Sequence, residues 1–238
     1  MTDIQSTLDE LAKQTDKRTS VFEIEIQELK HSSLTLGGRV LDQSQLDNLH
    51  RLFSTHHLDT ASISILNAEN HERVHVATNH TGLYEKPTFG VPLSSELYYG
   101  TELEVLDEQG RWVFARQTDG YLGWAYRPYL GEGTAPAASH LVLAPVIELR
   151  AEPDETSDVV TRVMSGTGVV VEESKDGWSR IQANKSGWLP SIHLRAINDL
   201  PKSLEEKRAA TIRDSQRMIG IPYLWGGTSG NGIDCSGF

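Results

Sequence analysis

The chain has 238 residues, 33 acidic against 22 basic side chains, a formal net charge of −11 and one cysteine. An acidic chain of this kind disfavours nucleic acid and anionic membrane surfaces as partners, and no apolar run approaches the roughly 18 residues that a membrane span needs. The length allows one to three compact domains, a hydrophobic content of 38% is enough for most of the chain to bury a core, and a single cysteine excludes an internal disulfide.

The first 15 residues form a polar amphipathic stretch. They lack the basic region and the apolar core of a secretory signal peptide. A cytoplasmic protein is therefore expected, and the cell envelope stays open as an alternative that needs an unusual export route or a missing leader.

Residues 1–70 are expected to form a small α/β module. Phe22, Ile24 and Ile26 alternate with polar residues, which predicts a half-buried strand. Segments 33–41 and 61–66 predict two further strands, and apolar residues at 46, 49, 52 and 53 predict a helix between them. The result is a β-β-α-β unit.

The His56–His57 pair in this module raises the question of a metal site. Neighbouring residues point apart on a helix or a strand, and no cysteine or acidic cluster accompanies the pair. No metal site and no cofactor are expected.

The middle of the chain contains an internal repeat. Residues 83–87 match residues 149–153 at an offset of 66, and Trp112 matches Trp178 at the same offset, whereas Gly123-Trp124 matches Gly187-Trp188 at an offset of 64. Short apolar segments separated by Gly- and Asp-containing turns predict small β-barrels.

This repeat resembles the bacterial SH3-like domains in its Leu-x-x-x-Pro segment, its Gly-x-Trp spacing and its Gly-Trp pair. The resemblance places one domain at 72–132, called repeat 1 below, and a second at 138–197, called repeat 2. Such domains bind cell-wall components or support a catalytic domain.

Residues 203–238 are expected to begin a further domain. Ser203 and Glu206 form a capping box, which starts a helix at about 204–219 with Leu204, Ala209, Ile212 and Met218 available for a core. A Gly-rich segment follows, and then Asp234-Cys235-Ser236-Gly237.

The residues around Cys235 suggest a reactive thiol at the start of a helix. Asp234 is a good N-cap residue, and a helix N-terminus stabilises a thiolate. A buried, inert cysteine in a Gly-rich turn is the alternative that spacing alone leaves open.

Two motifs at this end of the chain resemble the opening of an NlpC-type cell-wall peptidase domain. They are Pro-Tyr-Leu-Trp-Gly-Gly at 222–227 and Gly-Ile-Asp-Cys-Ser-Gly-Phe at 232–238. The resemblance covers about 204–238. It implies a papain-like α+β domain, of which the sequence holds the first helix, and a cysteine endopeptidase that cleaves γ-D-glutamyl-diamino acid bonds in peptidoglycan stem peptides or muropeptides.

The resemblance also implies roles for single residues. Cys235 would be the nucleophile, Asp234 and Ser236 would contact the substrate, and Tyr223 with Trp225 would line the cleft, Tyr223 on the oxyanion side. In peptidases of this type with two such barrels, a loop tyrosine of the first barrel can hold the free amino end of the stem peptide. Tyr121 has no counterpart in repeat 2 and is the residue expected to play this part; an exposed turn tyrosine is the alternative.

The family's histidine base lies after the cysteine, whereas all nine histidines of this sequence precede Cys235. The 238-residue chain is therefore expected to be truncated after its nucleophile and to be inactive. The segment from Gly226 onward is expected to be loosely docked, because a few residues cannot nucleate a helix alone and unpacked chain ends are mobile. Two functions stay open: a cysteine peptidase acting on the cell wall, or a non-catalytic module that binds cell-wall peptide or glycan through its SH3-like barrels.

Overall fold

A computed structural model describes residues 2–67 and 71–238, so the expected module boundary at residue 70 lies outside the described residues. The N-terminal module is a three-stranded sheet in the order β1-β2-β3, with β1 and β2 antiparallel and β2 and β3 parallel. Its elements are α1 (Thr2–Gln14), β1 (Phe22–Lys30), β2 (Ser33–Val40), α2 (Gln43–Leu52) and β3 (His57–Ile65).

The two helices cover one face of this sheet. Leu8 of α1 and Leu49 of α2 are buried with Leu34 and Leu36 of β2 in one apolar cluster. The expected β-β-α-β order is present, and the polar first stretch adds a helix before it, because Ile4, Leu8 and Leu11 recur at helical spacing and pack on this cluster.

Repeat 1 forms a seven-stranded sheet with the order β10-β4-β7-β8-β9-β5-β6. Its buried core includes Leu83, Leu97 and Val113. Its strands are β4 (Arg73–Val76), β5 (His80–Tyr84), β6 (Leu93–Tyr98), β7 (Glu102–Gln109), β8 (Trp112–Gln117), β9 (Leu122–Tyr126) and β10 (Leu130–Glu132).

Repeat 2 forms a second seven-stranded sheet whose order, β13-β12-β16-β15-β14-β11-β17, is that of repeat 1 when read from the other end. Leu149 occupies the core position of Leu83 and is likewise fully buried. Its strands are β11 (His140–Val142), β12 (Val146–Arg150), β13 (Val159–Met164), β14 (Gly168–Lys175), β15 (Trp178–Gln182), β16 (Ser186–Pro190) and β17 (Leu194–Ala196).

Buried contacts join the three sheets. Val21, Leu41 and Leu66 of the N-terminal module pack against Phe114 and Trp124 of repeat 1. Between the repeats, the buried amide of Asn79 donates to Thr161 Oγ1 and to the Arg162 carbonyl, both at 2.7 Å, and accepts from the Asn184 amide. Repeat 1 thus contacts both of its neighbours.

The last part of the chain consists of α3 (Leu204–Ser215), a 3₁₀ turn (Gln216–Met218) and a two-stranded hairpin, β18 (Thr228–Ser229) and β19 (Gly232–Ile233). The capping box of Ser203 and Glu206 is confirmed. Of the residues available for a core, Leu204 and Ile212 are exposed, whereas Ala210 of the same helix is buried. A bidentate ion pair between Asp214 and Arg195 joins the helix to repeat 2.

The expectation of a loosely docked end is wrong for this structure. Residues 222–238, called the tail below, lie against both repeats. Gly226, Gly227, Ser229 and Gly232 are buried, because the glycines allow the backbone to approach its neighbours closely. The mainly β composition with an α+β N-terminal module is confirmed.

Candidate active site

Asp234 organises the turn that carries Cys235. Its Oδ1 accepts hydrogen bonds from the Ser236 amide at 2.8 Å, the Gly237 amide at 2.7 Å and the Ser236 hydroxyl at 2.8 Å. The Phe238 amide donates to the Asp234 carbonyl at 3.1 Å. This is the N-cap geometry expected of Asp234. The helix itself is limited to a single turn in this structure.

The second oxygen of Asp234 ties the two sequence motifs together. Asp234 Oδ2 accepts from the Gly226 amide at 2.9 Å, and the Asp234 amide donates to the Gly227 carbonyl at 3.0 Å. Burial opposes ionisation of Asp234, but these bonds together hold the pKa of its carboxyl below its ordinary value. The carboxylate is therefore ionised at neutral pH, and both of its oxygens accept hydrogen bonds from the tail.

No residue other than glycine fits at position 226 unless the surrounding backbone shifts. Its φ is +72°, and a Cβ at this position would lie 2.6 Å from the Leu93 carbonyl oxygen of repeat 1. The backbone of the first motif is thus pressed against β6.

Cys235 is exposed, and no residue in the described ranges forms a hydrogen bond with its thiol. Ser236 beside it is exposed as well. An exposed thiol at the first position of a capped turn is accessible to a substrate. The alternative of a buried, inert cysteine does not agree with this exposure.

Tyr223 and Trp225 lie on the surface beside this turn. Tyr223 forms a parallel bridge with Ile233, the residue before Asp234, and is 68% exposed. Trp225 is 58% exposed and lines a groove between the tail and repeat 1. The other lining residues of this groove are Glu85, Val91, Pro92, Leu93 and Leu224.

A buried carboxylate of repeat 1 holds the tail in place. Glu96 on β6 is 3% exposed; its Oε2 accepts from the Thr228 amide at 2.7 Å, and its Oε1 lies 2.8 Å from His80 Nε2. The hydroxyls of Tyr98 and Thr228 are also hydrogen-bonded.

The pKa values of these groups reflect their burial and contacts. Burial opposes ionisation of Glu96, but hydrogen bonds from His80 and Thr228 outweigh it and hold the pKa of this carboxyl below its ordinary value. Burial raises the pKa of Tyr98 to about 12, so its hydroxyl stays protonated. An ionised acceptor in a buried site gives strong hydrogen bonds.

Tyr121 lies at the β8–β9 turn, half-buried against the core of repeat 1. The guanidinium carbon of Arg18, from the N-terminal module, lies 6.0 Å from the centre of its ring. The Leu122 amide donates to the Arg18 carbonyl at 2.7 Å, which fixes the two loops together.

The Arg18 guanidinium is itself held by Asp16, and their hydrogen bonds are the chief cause of the raised pKa of Arg18. In the described residues, no hydrogen bond joins the Tyr121 side chain to the tail.

Sequence reasoning singled out none of Arg18, Glu85, Glu96 and His80. A signal for two of them was present in the repeat. His80 pairs with Tyr98 in the sheet as Val146 pairs with Met164, and Gly82 pairs with Glu96 as Glu148 pairs with Arg162. Comparing the copies position by position shows that repeat 1 holds His and Glu where repeat 2 holds Val and Arg.

Two family profiles match the chain. The profile described as the bacterial dipeptidyl-peptidase SH3 domain matches residues 83–125, and the profile described as the bacterial SH3 domain matches residues 145–194. The chain contains two bacterial SH3 domains. The sequence-based assignment of two SH3-like domains is thereby confirmed.

Curated relatives extend the similarity beyond single domains. The chain is 27% identical over 164 residues to a γ-D-glutamyl-L-lysine dipeptidyl-peptidase of Bacillus cereus, covering 61% of this chain and 48% of the relative. It is 26% identical to the enzyme of the same name from Bacillus subtilis, covering 61% and 51%. It is 25% identical to dipeptidyl-peptidase 6 of Lysinibacillus sphaericus, covering 65% and 62%.

The chain thus spans about half to three-fifths of the length of these relatives. Among solved structures, an NlpC/P60 family protein from Bacillus cereus matches with a TM-score of 0.55 at 22% identity, covering 69% of each chain, which supports the shared fold. Within residues 2–67 and 71–238, no helix is long and apolar enough to cross a membrane.

Proposed function

We propose that Cys235 is the nucleophile of a cysteine peptidase that acts on peptidoglycan stem peptides and cleaves the bond between γ-D-glutamate and the diamino acid. The observation that carries this proposal is the Asp234-held turn, which presents an exposed thiol and is hydrogen-bonded to Gly226, the residue after the groove residue Trp225. The names of the curated relatives, which specify γ-D-glutamyl-L-lysine, agree with this substrate class.

In this proposal Asp234 holds the turn and does not act as the base. Both of its oxygens already accept hydrogen bonds from the protein. The thiolate of Cys235 would attack the γ-carbonyl carbon, the diamino acid would leave with a proton, and water would hydrolyse the thioester. A base is needed for these proton transfers.

No histidine in the described ranges is hydrogen-bonded to the thiol. We therefore expect the 238-residue chain by itself to bind the peptide without turning it over. Catalysis is proposed for a protein in which a histidine acts as the general base for the Cys235 thiol.

Tyr121 would hold the amino end of the substrate, Asp234 and Ser236 would contact the substrate beside Cys235, and Tyr223 and Trp225 would line the cleft. The dipeptidyl-peptidase names of the relatives favour release of a dipeptide from a free amino end. The Tyr121 hydroxyl can accept a hydrogen bond from an ammonium group.

The test uses an electrophile that reports both binding and the thiol. L-Ala-γ-D-Glu chloromethyl ketone should alkylate Cys235 of the 238-residue chain faster than its L-Ala-γ-L-Glu diastereomer, with the adduct located by mass spectrometry. The diastereomer has the same reactivity toward free thiols. Equal rates for the two reagents would show that no stem-peptide site adjoins Cys235.

A second function is favoured by an aromatic cluster on repeat 1. Phe89 and Tyr129, 50% and 40% exposed, lie with Tyr84, Trp112 and Tyr126 in a chain of ring contacts between 4.8 and 5.7 Å. Exposed aromatic rings suit binding of a cell-wall glycan or peptide without catalysis. Muropeptide binding that is lost in Phe89→Ala and kept in Cys235→Ser would support this function.

A further inference from the structure

We infer that Glu96 is a positioning residue, the contact through which repeat 1 holds the turn that carries Cys235. The inference rests on the proposed function for the role of Cys235. The contact itself stands on the geometry of the described residues.

The first step is that Glu96 lies where the SH3 sheet does not need a carboxylate. The equivalent position in repeat 2 is Arg162, as shown by the pairing of Gly82 with Glu96 and of Glu148 with Arg162. The Arg162 side chain is 65% exposed and forms a surface ion pair with Glu148. The same fold thus accepts an exposed cation at this site, whereas repeat 1 buries an anion.

The second step is that Glu96 is directed at the tail. An acidic group in a site this buried is costly unless its oxygens are satisfied. One oxygen is satisfied within the sheet by His80, and the other by the backbone of Thr228, a residue 132 positions away in sequence. Without the tail, one Glu96 oxygen would lose its partner from the protein.

The third step connects Thr228 to the thiol. Thr228 pairs with Ile233 across the tail hairpin. The next residue, Asp234, bonds back to Gly226 and Gly227 on one side and to Ser236 and Gly237 on the other. A fixed position of Thr228 therefore fixes Asp234 and, through it, Cys235. The bond between Tyr98 and Thr228 supports the same residue from a position two residues further along β6.

The experiment is backbone amide exchange of the 238-residue chain, read residue by residue by NMR. In Glu96→Ala, the amides of residues 226–237 should exchange at least roughly tenfold faster, as expected for loss of a hydrogen bond to a charged group. Core amides of repeat 1, such as those of Leu83 and Val113, should keep their protection. Arg162→Ala is the matched control and should leave the tail unchanged.

A conservative variant separates positioning from mere packing. In Glu96→Gln the side-chain oxygen can still accept from Thr228, so protection of the tail should be largely restored. Unchanged exchange of residues 226–237 in Glu96→Ala would overturn the inference.

If Glu96→Ala loosens repeat 1 as a whole, Glu96→Met is the variant to measure. This variant fills the buried site with a side chain of similar length that cannot accept a hydrogen bond from the Thr228 amide. Tail amides that exchange faster in Glu96→Met while the core amides stay protected support the inference, and tail amides that stay protected overturn it. Because amide exchange does not depend on substrate, these outcomes are separate from success or failure of the alkylation test of the proposed function.

Discussion

The two SH3 domains share one strand order but differ at the surface that faces the tail. Repeat 1 has His80, Glu96 and Tyr98 at this surface. Repeat 2 has Val146, Arg162 and Met164 at the equivalent positions. The cores are equivalent, since Leu83 and Leu149 are both fully buried. The difference indicates that the shared core maintains the fold, while the contacts of repeat 1 with the tail lie at positions where the fold does not require a particular residue.

The β8–β9 turn differs in the same manner. Repeat 1 has two residues more than repeat 2 in this region, and Tyr121 lies among them. The Arg18 loop of the N-terminal module packs on this extension and contacts no part of repeat 2 in any described hydrogen bond or ion pair. Repeat 1 is thus the domain that brings the N-terminal module and the tail together.

The largest expected effect tests the equivalence of the two cores. Leu83→Ala and Leu149→Ala should each lower the free energy of unfolding by about 2–5 kcal/mol, because both delete a fully buried leucine. Chemical denaturation of each variant provides the measurement. A loss in one repeat with almost none in the other would show that the cores are not equivalent.

The next prediction concerns the residue found only in repeat 1. Tyr121→Phe should weaken binding of L-Ala-γ-D-Glu-L-Lys by about tenfold or more, since a hydrogen bond to a charged group contributes roughly 1.5–3 kcal/mol. The melting temperature should barely change. Calorimetric titration provides the affinity.

Two controls accompany this variant. N-acetylation of the peptide should remove the difference between Tyr121→Phe and the parent sequence, and Tyr126→Phe, in the aromatic cluster of the same repeat, should bind as the parent does. Unchanged affinity together with a loss of several degrees in melting temperature would make Tyr121 a structural residue.

Gly226 tests the close approach of the tail to repeat 1. Gly226→Ala should reduce protection of amides 226–237 by an amount corresponding to about 1–3 kcal/mol, because it adds strain at positive φ and a clash with the Leu93 carbonyl. Gly177→Ala, at φ +82° in repeat 2, meets no atom within 4 Å and is the matched control. Equal protection of the tail in the two variants would contradict tight docking.

The smallest expected effect lies in repeat 2. Arg162→Ala should change the free energy of unfolding by about 0–1 kcal/mol, because its ion pair with Glu148 is exposed. Thermal or chemical unfolding measures it. A loss comparable to that of a core leucine would mean that this position matters to the fold of both repeats.

Periodicity and motif spacing were sufficient for the parts of the fold that depend on local sequence. The alternation at Phe22, Ile24 and Ile26 marked β1, and the 66-residue offset revealed two copies of one domain. The capping box at Ser203 fixed the start of α3. Each of these features is determined by residues close to one another in the chain.

The tail could not be predicted in the same way, because its support comes from distant residues. Helix nucleation and chain-end mobility favoured a loose segment, but Glu96 and Tyr98 bond to Thr228 across more than a hundred positions. The contact of α3 with repeat 2 is also not visible in the sequence, because it is an ion pair between Asp214 and Arg195 of another domain. The Tyr121 position was identified from the loop length, whereas its neighbour Arg18 comes from another module.

The most direct test of the account combines its two claims, that Cys235 adjoins a stem-peptide site and that repeat 1 holds it. Alkylation of Cys235 by L-Ala-γ-D-Glu chloromethyl ketone and by its γ-L-Glu diastereomer should be compared in Glu96→Ala and Arg162→Ala. The account predicts a preference for the D-Glu reagent that Arg162→Ala keeps and Glu96→Ala loses. A preference that survives in Glu96→Ala, or one absent from the unsubstituted chain, would contradict it.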